Sequence, residues 1–296
     1  MTMPDFVISE PMLPLDGLSP PSFEMPKGAC DTHIHIFGPE SVYQPVAQPL
    51  YTLPDGKLDH FLALMPILKF ERFVIVQPSF YGTDNSCLLD ALREAGGEIA
   101  RGVVMIDEDI TPAELARMHE AGVRGVRLDL FSRRTWPQAD IRAYITRMAA
   151  LVAPLGWHLQ FYVPGYVIRD LVDFLPRIPV PHVIDHMGYM LASDGLGPDD
   201  FARLLARMND AQTYLKLSGP YRIAKEKGYG AVLDIARAIV DTNPDRAIWG
   251  SDWPHIPKSG RDTGELVNLL AQWAPDATDR RKILTDNPAR LFGWPE

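Results

Sequence analysis

The chain has 296 residues, enough for one large α/β domain or two ordinary ones. Its 46% hydrophobic and 23% charged residues are those of a globule, and a formal charge of −9 with no basic stripe argues against non-specific nucleic-acid binding. Cys30 and Cys87 are the only cysteines and show no CxxC spacing, which argues against a disulfide framework or a cysteine zinc site and fits a reducing cytoplasm. No basic-then-apolar leader pattern and no membrane-length apolar run is present. The expectation is a cytoplasmic protein without membrane or nucleic-acid partners; a homo-oligomer is compatible with these numbers.

Residues 1–27 are proline-rich and aperiodic and read as an N-terminal extension, an extended arm; residues 28–296 read as one catalytic-sized domain. The first strand-like run is "CDTHIHIFGP" (30–39). Strict alternation along it puts Asp31, His33 and His35 on one face, with Cys30, Thr32, Ile34 and Ile36 on the other. A long proline-rich insertion, 38–57, follows and carries Tyr43 and Tyr51; loops of this length are functional or disordered, and a lid is the functional reading. Seven further strand-like runs follow at 70–79, 101–107, 123–130, 158–163, 181–188, 213–219 and 246–253. Helical patterns separate them, beginning near Asp84, Pro137, Asp199 and Gly230. The clearest is "TPAELARMHEAG", with Thr111 as N-cap, Pro112 at the first helical position and Glu114 closing a capping box. Eight alternations of strand and helix predict a parallel sheet closed as a (β/α)₈ TIM barrel. The rival, an open doubly wound sheet, lacks its glycine-rich phosphate turn here.

In a barrel each strand packs one face on helices and the other on the interior. The apolar faces suit the helices, so the polar sets are expected inside: Gln77 and Ser79, Arg127 and Asp129, and His158, Gln160 and Tyr162. His33 and His35 from the first strand, His186 from the sixth, and Asp252 with His255 after the eighth would gather at the C-terminal mouth, where barrel enzymes carry their sites. A lone histidine is more often a satisfied core residue, and Asp252 alone could be a helix cap; the combination favours a site. Arg127, Arg133 and Arg222 follow C-terminal strand ends in an acidic chain, and guanidinium forks suit carboxylates. A small anionic substrate is therefore expected.

"DTHIHIFGP", "VQPSFYGTDN", "GVRGVRLDLFSRR", "VIDHMG" and "WGSDWPH" together resemble the amidohydrolase superfamily, and within it the branch of 2-pyrone-4,6-dicarboxylate lactonases. The similarity runs from about Lys27 to the C-terminus. It implies a (β/α)₈ barrel that opens the lactone ring of a small carboxylated compound. By the same resemblance Asp252 would be the general base, with His33, His35 and His186 around the scissile carbonyl. Tyr51, Ser79, Arg127, Arg133, Tyr162 and Arg222 would match substrate-contacting positions, with Tyr189 and His255 beside them. Tyr189 stands where the dicarboxylate lactonases carry an arginine, which implies one altered carboxylate contact.

Many superfamily members hold a divalent metal, and His33, His35 and Asp252 could supply three ligands, zinc being the first choice. The fifth strand offers Tyr162 where a further ligand would be wanted, and the dicarboxylate lactonases by resemblance need no metal. A site without a required cofactor is the expectation, with one divalent metal as the alternative. Two other readings stand beside the lactonase: a metal-dependent decarboxylase or amide hydrolase on the same barrel, and a barrel that binds an anion without turning it over.

Overall fold

A computed structural model gives the structure, which describes residues 17–46, 53, 56–190, 196–210, 212–256 and 260–295. Eight strands, β1 (Cys30–Ile34), β2 (Arg72–Val76), β3 (Ala100–Val104), β4 (Val123–Asp129), β5 (His158–Tyr162), β6 (His182–Ile184), β7 (Thr213–Leu217) and β8 (Ala247–Trp249), pair in chain order. Every pairing is parallel. The seam between the first and last strands is closed just past β8, where Ile34 bridges Trp253. There His35 N donates to Trp253 O at 2.8 Å and Asp252 N to His33 O at 2.8 Å. The expected (β/α)₈ barrel is the fold.

The helices among the described residues are α1 (Leu58–Leu68), α2 (Ser86–Ala95), α3 (Pro112–Glu120), α4 (Gln138–Val152), α5 (Gly165–Leu171), α6 (Pro198–Asp210), α7 (Pro220–Ala224), α8 (Leu233–Thr242), α9 (Thr263–Trp273), α10 (Ala277–Arg281) and α11 (Asn287–Phe292). The predicted capping box on α3 is present in full: Thr111 accepts from Glu114 N, and Glu114 reaches back to the Thr111 backbone. α8 starts three residues later than its pattern suggests, because a 3₁₀ turn over Tyr229–Val232 precedes it. None of these helices is long and apolar enough to cross a membrane.

Two apolar layers hold the barrel. The larger lies between strands and helices and includes Phe73, Ile75, Leu128, Phe161, Leu217 and Trp249. The smaller fills the lower interior: Cys30, Val74, Val103, Val183, Tyr214 and Ile248 meet Leu291, Phe292 and Trp294 from the C-terminal segment, which plugs the N-terminal end. Residues 19–22 lie along α9, where Ser19 N donates to Asp262 at the helix start and Ser22 N to Asn268 Oδ1. The near half of the insertion after β1 is tied to α2, with Tyr43 OH donating to Asp90 Oδ2 at 2.8 Å.

Candidate active site

β1 does not keep strict alternation. Asp31 pairs with Phe73 and Ile34 with Ile75, so three steps on β1 match two on β2. This bulge re-aims the strand. Asp31 and Ile34 share the registry of the helix-facing Phe73 and Ile75, and His33 and His35 point into the barrel. The expectation that Asp31 shares their face is thus corrected. Its carboxylate instead holds the β1–β8 seam, with Oδ1 accepting from His33 N at 3.0 Å and Ser251 N at 2.9 Å. Burial outweighs these bonds and pushes its pKa up to about 7. Gly250 is needed at the same seam, because a Cβ there would lie 2.5 Å from His33 Cβ.

The second correction concerns β2. Val74 and Val76 face the interior, and Gln77 points the other way. Its Nε2 donates to Gly82 O (3.1 Å) and Asp84 O (2.8 Å) and fixes the turn before α2. The interior of β2 is apolar because it serves the lower core, so apolar-outward patterning misassigns this strand. On β4 and β5 the expected faces hold: Val126, Leu128, Leu159 and Phe161 pack outward. His158 sits at the lower end, edge-on to Phe292 at 5.0 Å, away from the mouth.

At the upper end the remote histidines and the aspartate meet. Asp252 Oδ1 lies 3.3 Å from His35 Nε2 and 3.7 Å from His33 Nε2. The two Nε2 atoms are 3.3 Å apart, and His35 Nδ1 lies 2.8 Å from Val76 O. His186 stacks on His33 with ring centroids 5.1 Å apart, and its Nδ1 lies 2.9 Å from Ser218 Oγ. Gly219, which follows that serine, has φ +57°, and a Cβ there would come within 2.7 Å of His186 Nδ1. His186, Asp252 and His255 also have positive φ, 52°, 63° and 67°. Such strain in non-glycine residues gathers where surrounding structure fixes a functional geometry.

The two oxygens of Asp252 differ. Oδ2 accepts from Tyr221 OH at 2.5 Å and from Arg222 Nε. Oδ1 has no hydrogen-bond partner and faces the histidine pair. Burial alone would raise this carboxyl's pKa, but Arg222 and the neighbouring histidines outweigh it and hold it well below the usual range. Burial drives His186 down to about 4, so its imidazole is neutral at pH 7. It likewise lowers His33 and His35.

A small cleft of about 120 Å³ opens above this group, lined by His35, Ser79, Phe80, Arg127, Asp129, Tyr162, Arg222 and Ile256. Arg127 lies over the Tyr162 ring at 4.4 Å and donates to Gln77 O; its Nε is buried without a partner. Tyr189, Phe131 and Tyr162 form an aromatic wall beside it, with centroids 4.4 to 6.5 Å apart. Two expected contacts sit elsewhere. Arg133 stacks on Trp136 and Tyr144 and donates to Asp129 O, so it is turned from the cleft. His255 lies behind the site, its Nε2 2.9 Å from Thr263 Oγ1 and its ring edge-on to Tyr221. Tyr51 falls outside the described residues.

Sequence reasoning missed Asp185, Lys216, Ser218 and Tyr221. Lys216 is wholly buried, 3.2 Å from Asp185 Oδ1, and Gln160 Nε2 donates to Asp185 Oδ2 at 3.1 Å. The signal was available in "TYLKLSG": a lone charge in the middle of a strand of apolar and small residues. Among the described residues, two sets of donor atoms could hold a metal ion, His33–His35–Asp252 and His33–Asp185–His186, each with its atoms within 4.8 Å of one another.

Comparison with known proteins agrees with the fold. The sequence profile of a family described as amidohydrolase matches residues 30–294. The 2-pyrone-4,6-dicarboxylate hydrolase of Comamonas testosteroni is 36% identical over 290 residues, covering 94% of each chain. The 4-sulfomuconolactone hydrolase of Rhizobium radiobacter is 37% identical over 282 residues, covering 93% of each. A Pseudomonas putida crystal structure, provisionally assigned as a 2-pyrone-4,6-dicarboxylic acid hydrolase, superposes with a TM-score of 0.77 at 34% identity, over 92% of this chain and all of that one.

Proposed function

The chain belongs to the amidohydrolase family, and from that premise we propose that it hydrolyses the lactone ring of a small carboxylated compound. The observation that carries this reading is the split carboxylate of Asp252: one oxygen neutralised by Tyr221 and Arg222, the other free beside His33 and His35. Relatives that hydrolyse a pyrone dicarboxylate and a sulfomuconolactone support the same chemistry.

The substrate carboxylate binds Arg127 and the outward nitrogens of Arg222, and its ring rests on Tyr162 and Tyr189. A water held on Asp252 Oδ1 loses its proton to that oxygen, and the resulting hydroxide adds to the lactone carbonyl carbon. Imidazole N–H groups of the histidine cluster donate to the oxyanion. Collapse breaks the ring C–O bond, and the proton on Asp252 passes to the departing oxygen. A carboxyl held well below the usual range is a weak base. That weakness suits an activated ester, whose enolate or alkoxide leaving group asks little of the base, better than an amide.

The donor set also fits a metal. Ligand atoms of a tetrahedral zinc site with bonds near 2.0–2.1 Å lie about 3.3 Å apart, and the spacings here are 3.3, 3.3 and 3.7 Å. His33, His35 and Asp252 would hold it, and it would supply a water of lowered pKa. We propose that the lactonase does not require it, since Tyr221 and Arg222 already compensate the Asp252 charge. The metal fit favours the second reading, a metal-dependent decarboxylase or amide hydrolase. Two buried free thiols suit our assignment to the cytoplasm.

The test is a panel of carboxylated lactones, amides and carboxylic acids followed for ring opening, amide hydrolysis and loss of carbon dioxide before and after chelation. Ring opening that survives chelation supports the lactonase reading. Turnover confined to metal-loaded protein and to amides or decarboxylation supports the second. Saturable binding with no product would mean a barrel that only binds.

A further inference from the structure

Lys216 is a fully buried ammonium in the barrel interior, beneath the cluster that the mechanism uses. Its Nζ pairs as an ion with Asp185 Oδ1 at 3.2 Å, donates to Thr32 O at 3.1 Å and lies 3.3 Å from His33 Nδ1. Asp185 is equally buried, and no other lysine or arginine forms an ion pair with it among the described residues. An unpaired buried charge is far costlier than a paired one, so the two carry their charges together.

The consequence lies in where His33 keeps its proton. A charged lysine can only donate, so His33 Nδ1 must present its lone pair to it. Asp185 Oδ1 lies 3.5 Å from the same nitrogen, farther from it than Lys216 Nζ. The proton of neutral His33 therefore sits on Nε2. Its partner His35 is set the other way. A backbone carbonyl only accepts, so His35 carries its proton on Nδ1, toward Val76 O, and a bare Nε2 toward His33.

We propose that Lys216 is a positioning residue that makes His33 a hydrogen-bond donor at Nε2 and thereby opposes its use as a metal ligand. In metal sites a carboxylate commonly takes the far N–H of a ligating histidine and leaves the near nitrogen bare. Asp185 stands at the right atom for that role. Lys216 intercepts it, occupies Asp185 and reverses the tautomer. A set of atoms spaced to hold zinc is thereby turned into a donor–acceptor pair. The use of the Nε2–H group on a lactone oxyanion rests on the lactonase reading; the placement of the proton does not.

Two measurements test it on the full chain, and neither uses a lactone. Long-range ¹H–¹⁵N correlation spectra of the wild-type protein at neutral pH, with His33 assigned by the signals lost in His33→Asn, are expected to show a protonated Nε2 and a bare Nδ1. The opposite tautomer overturns the proposal. The second measurement is zinc affinity by equilibrium dialysis for wild type and for Lys216→Met/Asp185→Asn. The double variant leaves no unpaired buried charge and lets the side-chain amide oxygen at 185 accept from His33 Nδ1. It is expected to bind zinc at least about tenfold tighter, the usual scale of such outer-shell changes; equal or weaker binding overturns the proposal. If both results hold and no lactone is opened, the proposed function fails and the role of Lys216 stands.

Discussion

The two ends of the barrel interior are built from opposite materials. The lower end packs Val74, Val103, Val183 and Ile248 against the Phe292 and Trp294 plug. The upper end buries His33, Asp185, His186, Lys216 and Asp252. Apolar burial stabilises by ~25 cal/mol per Å², whereas buried ion pairs roughly break even against desolvation. The contrast teaches that the lower end holds the fold and the upper end is held by it.

The largest effect expected at the lower end breaks the comparison if it fails. Phe292→Ala should cost ~3–5 kcal/mol, read by chemical denaturation, while kcat/KM of the folded fraction stays near wild type. A stable but inactive variant would mean that the two ends are not separate.

Acid should sharpen the comparison next. His158 (about 3), His182 (about 4), His186 (about 4) and His255 (about 4) are depressed by burial. A histidine whose folded pKa is depressed contributes stability above its unfolded value, ~6.5, and that contribution is lost as pH falls toward the folded one. Each histidine then weakens the fold by ~1.4 kcal/mol per pH unit. Asp31, raised to about 7, runs the other way: its contribution is present at low pH and is lost as pH rises through 7. Three of the four histidine slopes survive this opposition. Thermal scans should show Tm falling steadily from pH 6.5 to 4.5, and a flat profile would contradict the neutral buried imidazoles.

Smaller effects map the upper end. Arg127→Met removes a charge-assisted contact worth ~1.5–3 kcal/mol, so KM should rise tenfold or more with a lesser change in kcat. Arg133→Met, whose side chain stacks on Trp136 and Tyr144, should leave KM within about twofold. Tyr189→Arg should shift preference toward dicarboxylates by about tenfold, the size of one added ionic hydrogen bond. Competition between mono- and dicarboxylated lactones reads that ratio.

The fold was legible because eight period-2 runs alternate with helical patterns, one of them opened by a full capping box, with no hairpin signals, and parallel order follows from that alternation. The meeting of His33, His35, His186 and Asp252 was legible because a barrel brings its strand ends to one mouth. The rest was not, for local reasons. A bulge between Asp31 and Ile34 changes a face without any change in residue type. The Val74 and Val76 face of β2 is as apolar as a helix-facing one, because it serves the lower core. Arg133 could stack outward or reach inward, and only the positions of Trp136 and Tyr144 decide. Lys216 was readable in principle, since an inward charge on a buried strand demands a partner.

The most direct measurement on the central claim is the rate of lactone ring opening by Asp252→Asn beside wild type, with circular dichroism on both. The account predicts a folded variant slower by ~10²–10⁴, since the amide cannot take the proton of water. A folded Asp252→Asn protein that opens the same lactone at close to the wild-type rate would contradict it.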